Sequence, residues 1–175
     1  MAGTLKVGTI TTPSGSGTIT IPSGVTLSGG GLANTPAFSV YLNATSAGIT
    51  SATWTKVSSW TEQYDTDGAF ASDKFTVPSG SAGKYMFSTQ TRWNVSGSTS
   101  NVVLLKLTIN GLDPTPVKII TRNFCNGSGN AGSSANGIYD LSAGDYVEVY
   151  VYQNITTANL LANETFFQGY KIIGA

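Results

Sequence analysis

The stretch that decides the fold is GDYVEVYVYQN, Gly144–Asn154. Valines and tyrosines alternate through it, so Val147, Val149 and Val151 fall on one face of an extended strand, with Tyr146, Glu148, Tyr150 and Tyr152 on the other. Both faces carry substantial apolar surface. The valine face suits the core of a sandwich. The tyrosine face calls for a second cover, most simply another subunit with tyrosine hydroxyls bonded across the contact, the alternative being a half-exposed tyrosine-rich surface strand. Asp145 follows Gly144 at the entry, where a carboxylate stabilises a turn.

Working outward, strand-like segments continue along the chain from Pro36: Ala37 to Leu42, Thr53 to Val57, Lys74 to Val77, Lys84 to Trp93, Val102 to Asn110, Val117 to Phe124, Asn136 to Leu141 and Thr165 to Ile173. Turn-rich pieces separate them: PSGSAG at 78–83, SGSTS at 96–100, NGLDP at 110–114 and NGSGNAGSSANG at 126–137. The last is read as a long surface loop suited to contacting a partner. No segment sustains helical spacing. Some nine short strands predict an all-β sandwich or jelly roll. Lys84 to Trp93 repeats the two-faced pattern. Tyr85, Phe87 and Trp93 share one parity with Thr89 and Thr91, and Met86 lies opposite. Tyr85 and Phe87 therefore join Tyr146, Tyr150 and Tyr152 as expected subunit-contact residues.

The first thirty-one residues differ, having Lys6 as their one charge. Short alternating runs, Thr18-Ile19-Thr20-Ile21 and Val25-Thr26-Leu27, are punctuated by Pro-Ser-Gly at 13–15 and again at 22–24. Its larger apolar side chains, among them Val7, Ile10, Ile19, Ile21, Val25 and Leu27, are too few to offset the entropy of ordering such a segment alone. An ordered arm would need support from other chains. We therefore divide the chain into an attachment and trimerisation arm, 1–35, and one well-cored domain, 36–175, the alternative for the arm being a flexible Gly/Ser/Thr leader.

Composition narrows the function. Charged residues make up 10% of the 175, with nine acids balancing nine bases. Such a chain has no electrostatic attraction for nucleic acid or anionic membrane. No apolar run approaches a membrane span, and MAGTLKVG lacks the hydrophobic segment of a signal peptide. Abundant Gly, Ser, Thr and Asn suit an external or virion protein released by cell lysis. The single cysteine, Cys125, excludes an intrachain disulfide and is expected as a small packed residue.

In order along the chain, AFSVYL, TWTKV, DKFTVPSGSAGKYMFS, GIYDLSAGDYVEVYVYQN and TFFQGYKI resemble the globular head of complement first component, subcomponent q, within the tumour necrosis factor-like jelly-roll superfamily. The resemblance covers about Pro36 to Ile173. Its most specific marks are Phe75, Val77-Pro78, Gly83-x-Tyr85-x-Phe87, Gly144-Asp145-x-Val147 and Phe166-Phe167-x-Gly169-Tyr170. It implies a jelly-roll β-sandwich and a compact homotrimer. Three departures stand out: two extra residues between Phe75 and Gly83, Thr89 where an aromatic is usual, and a rearranged segment from Asp65 to Lys74. No collagen-like stalk precedes the domain, which weakens any transfer of immune ligand binding. The arm, through GTLKVGTI, SGSGTITIPSG and VTLSGGG, resembles segments of phage structural proteins, especially marine-phage fibres and decorations that carry a trimeric head.

Catalytic constellations are scarce. The chain has no histidine, so Ser-His-Asp, Cys-His and histidine-based zinc sites are excluded. Asp65-Thr66-Asp67-Gly68 begins like a calcium loop but lacks the downstream glutamate, leaving Asp65 and Asp67 as weak calcium candidates beside the reading of a polar turn. No other cofactor is expected. The expectation is a non-enzymatic virion protein: a homotrimeric phage capsid decoration or head fibre, made in the host cytoplasm, bound through its arm to the major capsid protein or another virion protein. The alternative is a trimeric tail-fibre tip, an adhesin holding host surface polysaccharide through Trp54, Trp60 or Trp93, residues that could equally belong to the core.

Overall fold

The computed structural model describes residues 34–172 except 47, 97–100, 116–117, 119, 126–127 and 156, and of 157 the backbone alone. The chain divides into units Met1–Leu32 and Ala33–Ala175, and the described residues belong to the second. The arm residues Val7, Ile10, Ile19, Ile21, Val25 and Leu27 lie outside them.

Two antiparallel sheets and no helix make up the described residues. In chain order the strands are β1 (Ala37–Tyr41), β2 (Thr55–Lys56), β3 (Thr61–Asp65), β4 (Phe70–Ala71), β5 (Lys74–Thr76), β6 (Gly83–Ser96), β7 (Asn101–Ile109), β8 (Ile120–Cys125), β9 (Gly129–Leu141), β10 (Tyr146–Gln153), β11 (Thr157–Leu160) and β12 (Phe166–Lys171). The first sheet runs β9-β6-β12-β1-β3, with β11 taking over from β12 beside Trp93 to Ser96 of β6. The second runs β8-β7-β10-β5-β4, with β2 flanking β10 at Tyr150 and Val151.

Alternation assigns the core. Phe38 and Val40 of β1, Tyr85, Phe87 and Trp93 of β6, Leu105 and Leu107 of β7, the three valines of β10 and Phe167 of β12 all point between the sheets. Phe38 sits at the centre, its ring 4.9 Å from both Phe75 (stacked) and Phe167 (edge-on). Truncating a ring so enclosed costs about 3–5 kcal/mol. Gly169 is required by this packing: a Cβ there would stand 2.5 Å from Cδ1 of Phe87. Gly144 turns with φ +89°. Beside it the Asp145 carboxylate accepts the Ser142 amide at 2.8 Å and the Asn110 side-chain amide at 2.8 Å. These bonds, Asn110 first, hold Asp145 below the usual carboxylate range.

The segment 126–137, expected as a loop, is largely strand. β9 pairs with β6 without interruption from Gly129↔Val95 to Leu141↔Gly83. Its inward residues Ala131, Ser133 and Ala135 are buried but small, so the alternation is real yet invisible to a scan for large apolar side chains. β8 closes against β9 through side chains: Thr121 Oγ1 donates to Ser134 O at 2.8 Å and Asn123 Nδ2 to Gly132 O at 2.6 Å. β3, β4 and β11 were also absent from the sequence expectation.

Candidate functional site

The sandwich leaves two outer faces, and their chemistry differs. On the second sheet, Tyr146, Glu148, Tyr150 and Tyr152 point outward as alternation requires, but the same chain covers them in part. Lys56 Nζ lies 3.1 Å from the Glu148 carboxylate. Lys74 Nζ lies 4.2 Å from the Tyr146 ring centroid, and Lys106 Nζ is 4.5 Å from that of Trp54 and 5.9 Å from that of Tyr150. Trp54 itself packs beside Tyr152, centroids 5.6 Å apart. Asp113 joins from the β7–β8 connection, 2.6 Å from Lys106 and 3.3 Å from Lys118. The hydrogen bond from Lys106 above all holds the Asp113 carboxyl below its ordinary range. Burial foremost, then the Glu148 charge, raises the Tyr150 phenol. The ammonium groups of Lys74 and Lys106 thus lie over the aromatic rings of this face as cation–π partners.

Part of the second cover expected from another subunit is thus supplied within the chain, and Tyr146, Tyr150 and Tyr152 stay half-buried. Tyr85 and Phe87 require a plainer correction. Both are 0% exposed in the single chain, so they have no surface to offer a neighbour. The Tyr85 hydroxyl donates to Ser81 O at 2.6 Å, and burial, with a smaller contribution from Asp67, pushes it up to about 12. The tryptophans also separate. Trp93 is wholly buried, Trp60 donates from Nε1 to Val57 O at 3.1 Å and packs near Phe167, and Trp54 alone stands on an outer face. Asp65 spends its oxygens on the amides of Asp67 and Phe70, at 3.3 and 2.7 Å, and Asp67 accepts from the Thr66 hydroxyl. Among the described residues no group of three or more His, Cys, Asp or Glu is placed to hold a metal. Cys125 is buried, which raises its thiol pKa.

The first sheet presents a different outer face. Register puts Ile138 of β9, Met86 of β6 and Tyr170 of β12 in one row across three adjacent strands. Ile138 is 60% exposed and Tyr170 43%, with Tyr64 of β3 at 48%. Asn136, Ser88, Gln168 and Ser39 form the next row. Neither row contains a charge. Lys84 and Asp140, paired across β6 and β9, border the zone at one end, and Arg92 lies towards the other. A depression of about 300 Å³ among Tyr64, Met86, Ser88, Asn136, Gln168 and Tyr170 gives this face relief. Alternation along β6 places Met86 opposite to Phe87. It does not place Ile138 and Tyr170 beside Met86, because that neighbourhood depends on long-range register.

The strand order, the Phe38-centred core and the β6-β9 pairing decide the architecture. The fold is a complement-head and tumour necrosis factor-like jelly roll. The globular domain of a zebrafish complement 1qA protein matches with TM-score 0.57 and 21% identity, over 78% of this chain and 97% of that one. Murine APRIL, a tumour necrosis factor-family jelly roll, matches with TM-score 0.52 and 15% identity, over 78% and 98%. No family model matches the chain, and no curated protein matches it.

Proposed function

We propose that the chain is a non-catalytic structural head that assembles as a homotrimer, serving as a phage capsid decoration or head fibre at the virion surface. Its arm, 1–35, would hold the major capsid protein or another virion protein, and the jelly roll would project. The observation carrying this reading is the exposed, charge-free row Ile138-Met86-Tyr170 with Tyr64 beside it. An apolar stripe bordered by charges is the composition of an interface core within a polar rim. The jelly-roll architecture supports self-association in general, and the arm's likeness to phage segments supports the virion. The adhesin alternative, with host polysaccharide as partner, keeps Trp54 of its three tryptophans.

The test uses tagged full-length protein incubated with separated heads and tails of the parent virion, the label then being located by electron microscopy. Label on heads, lost when residues 1–35 are deleted, is the expected result. Label confined to tails would transfer the protein to the adhesin reading. A one-chain mass by light scattering would remove the trimer from both.

A further inference from the structure

A cleft of about 440 Å³ opens on the first sheet at the end remote from Ile138, within the ~300–1,000 Å³ range of small-ligand sites. Its walls come from β1, β3, β12 and the turn at Asn163. Tyr41 and Phe166 are direct cross-strand neighbours, so two aromatic side chains stand together along one side. The opposite side is built by an irregularity. The β1-β3 register shifts between Ser39 and Val40, leaving Gln63 without a residue opposite it, and both Glu62 and Gln63 line the cleft. A bulge used to re-aim side chains in this way often marks a binding site.

The polar groups are positioned. Ser39, 6% exposed, donates its hydroxyl to Gln63 Oε1 at 3.2 Å, which turns the amide nitrogen of Gln63 away from Ser39. Asn163 sits at φ 59°, its backbone amide donating to Leu42 O at 2.7 Å, and lines the turn side of the cleft. Gln168 adds a third carboxamide and Glu62 a carboxylate. No lysine or arginine is among the lining residues, so an anionic ligand would meet Glu62 without compensation. A purely apolar ligand would strip water from three amides and a carboxylate. What fits is an uncharged molecule with apolar C–H faces for Tyr41 and Phe166 and a rim of hydroxyls for the amides and the acid.

We propose that this cleft is a subsite for an uncharged saccharide. It is separate from the tryptophans named for the adhesin reading, and the proposal holds for a capsid decoration as well as for a fibre tip. Gln168 borders both this cleft and the charge-free face, so the subsite lies at the margin of the proposed subunit contact.

Full-length protein is titrated with maltotriose and with tri-N-acetylchitotriose, using trigalacturonate as the charged counterpart, and binding is read by saturation-transfer NMR and calorimetry. At least one neutral trisaccharide is expected to bind with a millimolar constant, and trigalacturonate at least about tenfold more weakly. Tyr41→Ala and, as a surface change that spares the core, Gln63→Ala should each weaken binding about tenfold or more, whereas Trp54→Ala leaves it unchanged. Absence of binding by both neutral sugars at about 10 mM, equal binding of trigalacturonate, or loss through Trp54→Ala alone overturns the proposal. Light scattering on the same samples separates the two readings: sugar binding by a one-chain species upholds the subsite and removes the trimer.

Discussion

The two outer faces of this sandwich are built on the same alternation and end in opposite states. On the second sheet, each outward tyrosine of β10 has a lysine or an aromatic ring of its own chain against it, and outward-facing Leu104, Thr108 and Glu148 are buried beneath that layer. On the first sheet no such layer lies over Ile138 and Tyr170 among the described residues. The difference lies in where the long cations fall. Lys56, Lys74 and Lys106 come from strands that flank β10, whereas the outward positions of β6 between Lys84 and Arg92 are Met86, Ser88 and Gln90. A two-faced strand thus shows that its outer side must be covered. It does not say which atoms do the covering.

The largest expected effect breaks this comparison directly. Ile138→Glu together with Tyr170→Glu places charge in the bare row and should weaken self-association by roughly a hundredfold or more, seen as a drop to one-chain mass by light scattering. Phe124→Glu, at an exposed position on the β8 edge of the other sheet, should leave the mass unchanged. If Phe124→Glu dissociates the assembly and the double variant does not, the roles of the faces are reversed. Glu148→Ala is next. It leaves Lys56 facing a cavity where a largely buried carboxylate stood, and should cost about 1–3 kcal/mol by denaturant titration without altering mass.

The smallest effect depends on pH. Asp113 is held below its ordinary range, so its contribution is fully present above the unfolded carboxylate value near ~4 and is lost as pH falls through the lower folded value. Because Asp113 is partly exposed, the loss should stay under about 1 kcal/mol. A melting-temperature profile should therefore decline below about pH 4, and Asp113→Asn should flatten part of that decline.

Much of the fold was legible because the core is made of large side chains in strict alternation: β1, β6, β7, β10 and β12 fall where Phe38, Tyr85, Leu105, Val149 and Phe167 mark them. Asn136 to Leu141 reads as strand, but the first half of β9 is hidden by alanine and serine at its inward positions, which carry alternation without bulk. β3 and β4 are short edge strands, and TEQYD offers too little apolar contrast to stand out. The site was less legible than the fold. The parity that Tyr85 and Phe87 share with Trp93 fits a subunit contact and the interior equally well, and all three lie in the interior. Ile138 and Tyr170 lie on strands far apart in sequence, and only pairing through β6 brings them together.

That dependence on β6 has a temporal side. Thr91 of β6 meets Ser133 of β9 across 42 residues, and Thr89 meets Phe166 of β12 across 77. During synthesis β6 leaves the ribosome long before either neighbour exists, and its two edges stay unpaired until β9 and then β12 follow. Loop closure of this length must precede most of the stabilising contacts, which places folding in the slow, millisecond-to-second regime of non-local β topologies. The same interval exposes a fourteen-residue strand bearing Tyr85, Phe87 and Trp93 to other nascent chains. Yield from the cell is thus governed by how soon β6 is paired, and slower elongation between β6 and β12 should lower it.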